Sequence, residues 1–566
     1  MASVEALSRT VADPAAAWRG WRRLVTHTHT HSGRPDHGGV VKPPENYRRL
    51  AAWAAARGID AIGLGSPYTP REAARFAYYE GPGLKEYYAP TFDKRSVRDL
   101  DEIETMLAEA NRAGAGRPFF YLDNETPKGR YGHLWWIGYA CDWPAWHDNY
   151  QVFDHWMVYE QKPGDDSDEP VPYERRPYFE IVAAQRAGGA LGFWAHPTSW
   201  WLGDRRQFVT NVASELPVHL VADGRADGMV IMGYAAWRPE YQALWMHFLD
   251  HGFRVPGVAE MDCGLSDEKL WASDRAYVTC CTPELDASAR GGPAGLPPSA
   301  PPPGRRGPAD PPRQGAGGLT VRRLVDAFRT GRLFATSGPF VELIVDGRPM
   351  GEAVETAADR THKVEITALP RAGAEGLGRI ELLGRGGEIL WTDRGPAGGT
   401  FRLGVPGAAT AGYLIARVLG ATPGGAPDYQ QVAVSNPVYL HPRGTGFPAP
   451  ATTAVKLTIR HGSPFEGGEV RMETAGGELL HKAQAWAGTL TEALPASGRV
   501  TLVRPGRPSR TDYLANSNPR VIALQRYLYR GRFLRDFPSA KSGAIPPQAW
   551  KVEEFREAMR EVELTY

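Results

Sequence analysis

At 566 residues the chain is too long for one hydrophobic core, so two or more domains are expected. Its 65 Lys+Arg nearly balance 64 Asp+Glu, for a formal net charge of +1, which argues against a basic face for nucleic acid and against a polybasic membrane anchor. Hydrophobic residues make up 42% and charged residues 23%, and no apolar run approaches the roughly 18 residues of a membrane span, so a soluble globular protein is expected.

The N-terminus, MASVEALSRTVADPAAAWRGW, has no apolar signal-peptide core. Cys141, Cys263, Cys280 and Cys281 form no CxxC pair, a pattern expected of a reduced, cytoplasmic protein. Leu24 and Val25 lead into an alternating histidine run, His27, His29 and His31. PPENYRRLAAWAAARG predicts a helix that opens on proline and stops at Gly58, with a strand at 59–64 after it. Apolar runs at 119–122, 133–139, 190–194, 228–232 and 255–258 predict further strands, and 180–187 and 239–251 predict connecting helices. Such alternation predicts an α/β domain over 1–286 with a mostly parallel sheet, open or closed into a barrel.

Pro and Gly dominate 287–318, which reads as a linker or insertion. The helix and strand predicted at 319–339 return to the first domain. Short alternating segments then predict a β-sandwich at 340–442 and a second small one at 452–506, before a helical tail at 519–566.

Chemistry concentrates just past the apolar runs. His29 and His31 follow the first, Glu125 the run at 119–122, His196 that at 190–194, and Asp262 that at 255–258. His133 instead opens its run. Side chains two apart on a strand share a face, so His29 and His31 can grip one ion together. Imidazole with carboxylate suits Zn, Mn or Fe, and such ions bring a water toward ionisation near neutral pH.

These motifs resemble the polymerase-and-histidinol-phosphatase (PHP) family of metallohydrolases. HTHSGRPDHGG is similar to its His-x-His strand end, with His29 and His31 as the pair and Asp36 or His37 as the later element; a register using His27 and His29 stays open. Glu125, Gly132-His133, His196-Pro197 and Asp262 match its later motifs, and GRLFATSGPFVELIVDGRPMGE resembles the branch that includes carbaryl hydrolase. The resemblance covers roughly residues 20–440. It implies a distorted (β/α)7 barrel followed by β-sandwiches. The segment 453–505 also resembles a carboxypeptidase-regulatory-like β-sandwich.

Two histidines usual in the family are missing: GLGSPYTP stands where Asp-His is expected, and Gly264 stands two residues past Asp262. In the family both serve one ion, so the resemblance implies one or two ions rather than three. His29, His31, Glu125 and Asp262 would hold the first, and Glu125, His133 and His196 the second. Glu125 and Asp262 carry the catalytic role on this reading, with His37 either a proton donor and substrate contact or a solvated loop histidine.

Arg34, Tyr68 and Trp194 are candidate substrate contacts, and Lys42, Trp135, Trp136, Trp200, Trp201, Tyr234 and Trp237 crowd nearby. The expected function is metal-dependent hydrolysis of an ester, amide or phosphate ester in a small molecule. A decayed barrel that binds carbohydrate or protein, and a metal-dependent lyase or isomerase, are the competing readings.

Overall fold

The computed structural model describes residues 4–29, 43–66, 100–114, 118–128, 132–138, most of 182–264, 279–283 and, apart from scattered short stretches, 319–566. The linker expected at 287–318 lies outside the described residues. No described helix is long and apolar enough to cross a membrane.

The apolar runs of the first half build one closed, mixed sheet. Trp21–His29 pairs in parallel with Ala61–Ser66, which pairs in parallel with Phe119–Lys128. Phe119–Lys128 turns back antiparallel onto Gly132–Ile137, and that strand lies antiparallel to Leu191–Trp194. Leu191–Trp194 meets Met229–Gly233, which pairs in parallel with Gly257–Ala259. Cys263–Gly264 then returns to the far edge of Trp21–His29 near its end, while Thr279–Pro283 pairs antiparallel with the start of that same edge. Gly132–Ile137 and Leu191–Trp194 are buried along their whole length, which is why they read as unbroken apolar runs. Helix Pro239–Asp250 covers part of the ring, and its Trp245 indole donates to the Val255 carbonyl at 2.7 Å.

This is not the expected distorted (β/α)7 barrel. Strand makes up 43% and helix 25% of the described residues, so the protein is mainly β-sheet. The physical reason is local. The 119–137 region folds as a hairpin instead of crossing over through a helix, and the next strand also enters antiparallel. Phe334–Thr336 then pairs with both Thr279–Pro283 and Val432–Ser435, so the first sheet runs on into the later β region without a break.

That later region is sandwich-like. Thr361–Leu369 alternates exposed and buried side chains and lies between Phe340–Val345 and Gly399–Pro406. Its inner residues, with Phe340, Ile366, Leu382 and Val418, form a second hydrophobic core. The N-terminal strand Glu5–Thr10, read from sequence as part of the first domain, is an edge of this sheet, paired with Gly399–Pro406. A third core lies in the C-terminal β region, where Thr452–Ile459 pairs with Gly488–Pro495. The tail is helical at Pro519–Tyr529 and Val552–Ala558, but it ends as a strand. Glu561–Thr565 alternates and adds in parallel to Thr452–Ile459, burying Val562 and Leu564. The tail also packs on the first unit, with the Trp550 and Phe248 rings 5.8 Å apart.

Candidate metal centre

The strand ends of the closed sheet bring three imidazoles and three carboxylates together. His27 is fully buried and sits at φ 54°, inside an irregularity of the Trp21–His29 strand between Val25 and Thr28. Its backbone N–H donates to Asp123 Oδ2 at 2.5 Å. Its ring lies between two acids, with Nδ1 3.8 Å from Asp123 Oδ1 and Nε2 3.8 Å from Asp262 Oδ1. The Trp135 indole stacks on that ring at 5.9 Å. Asp123 packs against bare backbone, since a Cβ on Gly63 would lie 2.0 Å from its Oδ2.

His196 and Asp262 are placed by the loops beyond their strands, at φ 22° and 43°. The Asp262 N–H donates to the His27 carbonyl at 2.8 Å, and its Oδ2 lies 3.6 Å from His196 Nε2. The His196 N–H donates to Glu260 Oε1 at 2.9 Å. The His133 ring meets His196 edge-on with centroids 4.8 Å apart, and the His133 carbonyl accepts from the Ala195 N–H at 3.0 Å. One donor atom from each of His196, Glu260 and Asp262 lies within 4.8 Å of the others.

Burial dominates the electrostatics here. Burial pushes the Glu260 carboxyl up to about 8; His196 and His27 oppose the rise and Asp262 adds to it. No lysine or arginine is among the groups acting on Glu260, and its Oε2 is buried with no hydrogen-bond partner among the described residues. Buried carboxylates are costly unless paired or ligating. The donor set, imidazole nitrogen with carboxylate oxygen, fits Zn, Mn or Fe.

Of the residues expected from sequence, the structure brings together His133, His196 and Asp262. His29 ends its strand and Glu125 lies opposite Trp135 in the hairpin, but the side chains of both fall outside the described residues. His31, Arg34, Asp36, His37, Lys42, Tyr68 and Tyr234 also lie outside them. Trp194, expected at the substrate, is 2% exposed and meets His219 edge-on at 5.5 Å; Trp135 and Trp136 are likewise in the core.

Sequence reasoning missed Asp123 and Glu260 and left His27 open. Each had a signal: Asp123 directly follows FFYL and Glu260 directly follows VPGVA, both acids closing an apolar run.

No protein-family profile matches this chain, and no curated protein matches it. Among solved structures it is similar to BcpA, the major pilin subunit of Bacillus cereus, at 12% identity over 31% of this chain and 64% of that one, with a TM-score of 0.14. It is also similar to the BSP domain of a biofilm-associated protein, at 14% identity over 31% of this chain and 29% of that one, with a TM-score of 0.13. The chain thus spans less than two thirds of either relative, and likeness at this level carries no functional argument.

Proposed function

We propose that the protein is a metal-dependent hydrolase that uses an ion-activated water on an ester, amide or phosphate ester of a small molecule. The observation that carries this reading is the convergence of buried His196 and Glu260 with half-buried Asp262, within ligating distance of one another. These three would hold a divalent Zn, Mn or Fe ion, with His27 and His133 beside them. His29, His31 and Glu125 complete the set on the motif resemblance and leave room for a second ion. Such an ion supplies a Lewis acid that polarises the scissile group and makes a water nucleophilic near pH 7.

The chain's own residues organise the site. Asp123 and Trp135 hold the His27 ring from two sides. The backbone of His27 fixes Asp262, and Glu260 fixes the backbone of His196. Buried Phe193, Trp135 and Met261 keep bulk water away, which strengthens every charge interaction inside. The buried Cys280 thiol, which accepts from the Ala259 N–H, supports a reducing, cytoplasmic setting for this enzyme.

Metal content per chain, measured beside hydrolysis of nitrophenyl acetate, nitrophenyl phosphate and an anilide, tests the reading. One or two ions are expected in the native protein, with both metal and turnover lost in Glu260→Gln and Asp262→Asn. A native protein that takes up no ion after reloading with Zn, Mn or Fe would sink it and leave a binding module as the better account.

A further inference from the structure

Helix Pro519–Tyr529 is capped by Asn518, whose side chain accepts from the Arg520 N–H at 2.9 Å. Val521, Gln525 and Leu528 turn one side of it into the core. Arg520, Ala523, Leu524 and Tyr527, spaced as one helical stripe, instead line a cavity of about 720 Å³ closed on its other side by helix Val552–Ala558. That volume falls within the range of about 300–1,000 Å³ that small-molecule sites occupy.

Its chemistry is two-sided. Ala523, Leu524, Tyr527 and Ala558 make an apolar floor, while Arg520, Arg532, Arg535 and Lys551 stand around it against the lone acid Glu554. Four cations to one acid is far from the near-neutral balance of the whole chain. A second acid, Asp536, stands just beyond the lining, bonded by Tyr527 and paired with Arg535 at 3.3 Å, and it also acts on Lys551 from beyond ion-pair distance; Arg520 and Lys551 make no ion pair among the described residues.

Lys551 is also held in place. Its backbone is left-handed, at φ 46° and ψ 47°, a conformation that residues other than glycine, asparagine and aspartate seldom adopt. Buried Trp550 and Val552 on either side hold it there, and its Nζ sits 4.0 Å over the Tyr527 ring.

We propose that this cavity binds a small organic anion: a carboxylate or phosphate ester carried on a flat apolar body. The anionic group would meet Lys551 and Arg520, the arginine offering a planar fork of N–H donors, while the flat body lies on Leu524 and Tyr527. The site shares no residue with the metal centre and does not depend on the hydrolase reading.

The test uses the full chain and two fluorescent probes, 2-naphthoate and 1-naphthyl phosphate, titrated with and without EDTA, with neutral 2-naphthol as control. Saturable, EDTA-resistant binding is expected, weakened about tenfold by Lys551→Asn and by Arg520→Gln, each of which removes one charge-assisted contact. Asparagine tolerates the left-handed backbone, so Lys551→Asn removes charge while keeping the turn, and exposed Arg520 offers a second variant with no demand on folding. Naphthol is expected to bind at least about tenfold more weakly than the anions. Three outcomes would overturn the proposal: no saturable binding, binding lost in EDTA but unchanged in both variants, or naphthol binding as tightly as the anions.

Discussion

Gly63→Ala is a direct perturbation of the candidate centre that touches none of its ligands. A methyl group at residue 63 would lie 2.0 Å from Asp123 Oδ2, 2.8 Å from its Cγ and 2.9 Å from Tyr121 Oη, all too close to persist. Asp123 must move, and it cannot do so while accepting the His27 N–H at 2.5 Å. Overpacking costs about 1–3 kcal/mol and a lost hydrogen bond to a charged group about 1.5–3, so about 2.5–6 kcal/mol is expected. Against a typical total of about 5–15 kcal/mol that is severe but survivable.

A double-mutant cycle in urea isolates the cause, read through fluorescence of the tryptophans that include Trp135 beside His27. Asp123→Ala loses the hydrogen bond alone, and in the double variant the carboxylate clash has gone. The double variant loses that bond only once and the carboxylate clash not at all, so it should be about 2.5–6 kcal/mol more stable than the two single losses predict by addition, less what the Tyr121 Oη clash still costs. Additivity within about 0.5 kcal/mol would show that Gly63 and Asp123 do not meet in this way and would refute the argument.

Two further perturbations test the electrostatics away from the centre. In the Asp346-Gly347 turn, the Lys363 N–H and the His362 and Arg360 side chains outweigh the effect of burial and hold the Asp346 carboxyl below its usual range. Its stabilising contribution is therefore full above the unfolded value and is lost as pH falls through the folded one. Asp346→Asn, compatible with φ 50°, should cost about 1–2 kcal/mol at pH 7, and chemical denaturation should show that gap closing below about pH 4. Burial, helped by His251, lowers His247 from 6.5 to about 4, so the unfolded chain takes up a proton that the folded chain refuses. Stability should fall between pH 6.5 and about 4, and His247→Gln should flatten that slope by about 1–2 kcal/mol after allowance for solvent screening. An unchanged slope in denaturation curves across that window would locate the pH dependence elsewhere.

The strands and their ends could be read from the chain because buried strands carry unbroken apolar runs, and ligand-type residues follow them. His196 and Asp262 were found that way. Pairing direction could not be read: nothing in FFYLDNETPKGRYGHLWWI distinguishes a return by hairpin from a crossover, and the antiparallel turn at Gly132 redirected the expected fold. Asp123 and Glu260 were passed over for a related reason. Each stands two residues before a better-known candidate, Glu125 or Asp262, and only the closed ring shows that both acids face histidines. His27 was left open because alternation puts all three histidines of the run on one face, whereas an irregularity at 25–28 gives His27 its own backbone conformation.

That irregularity bears on function. Among the described residues five non-glycines adopt positive φ, and three of them are His27, His196 and Asp262. Each such residue costs about 1–3 kcal/mol, so about 3–9 kcal/mol of local strain is gathered at one cluster. The strain is distributed along a continuous chain of contacts: the Asp262 N–H to the His27 carbonyl, the His27 N–H to Asp123, and the His196 N–H to Glu260. What the strained residues share is that each brings a ligand-type side chain to one cluster, where burial pushes the Glu260 carboxyl up to about 8 while His196 and His27 oppose the rise. Strain and ligand-type side chains gathered at one buried cluster are features that a cation site would use, and the proposed hydrolytic reading rests on that physical argument more than on the motifs that first suggested it.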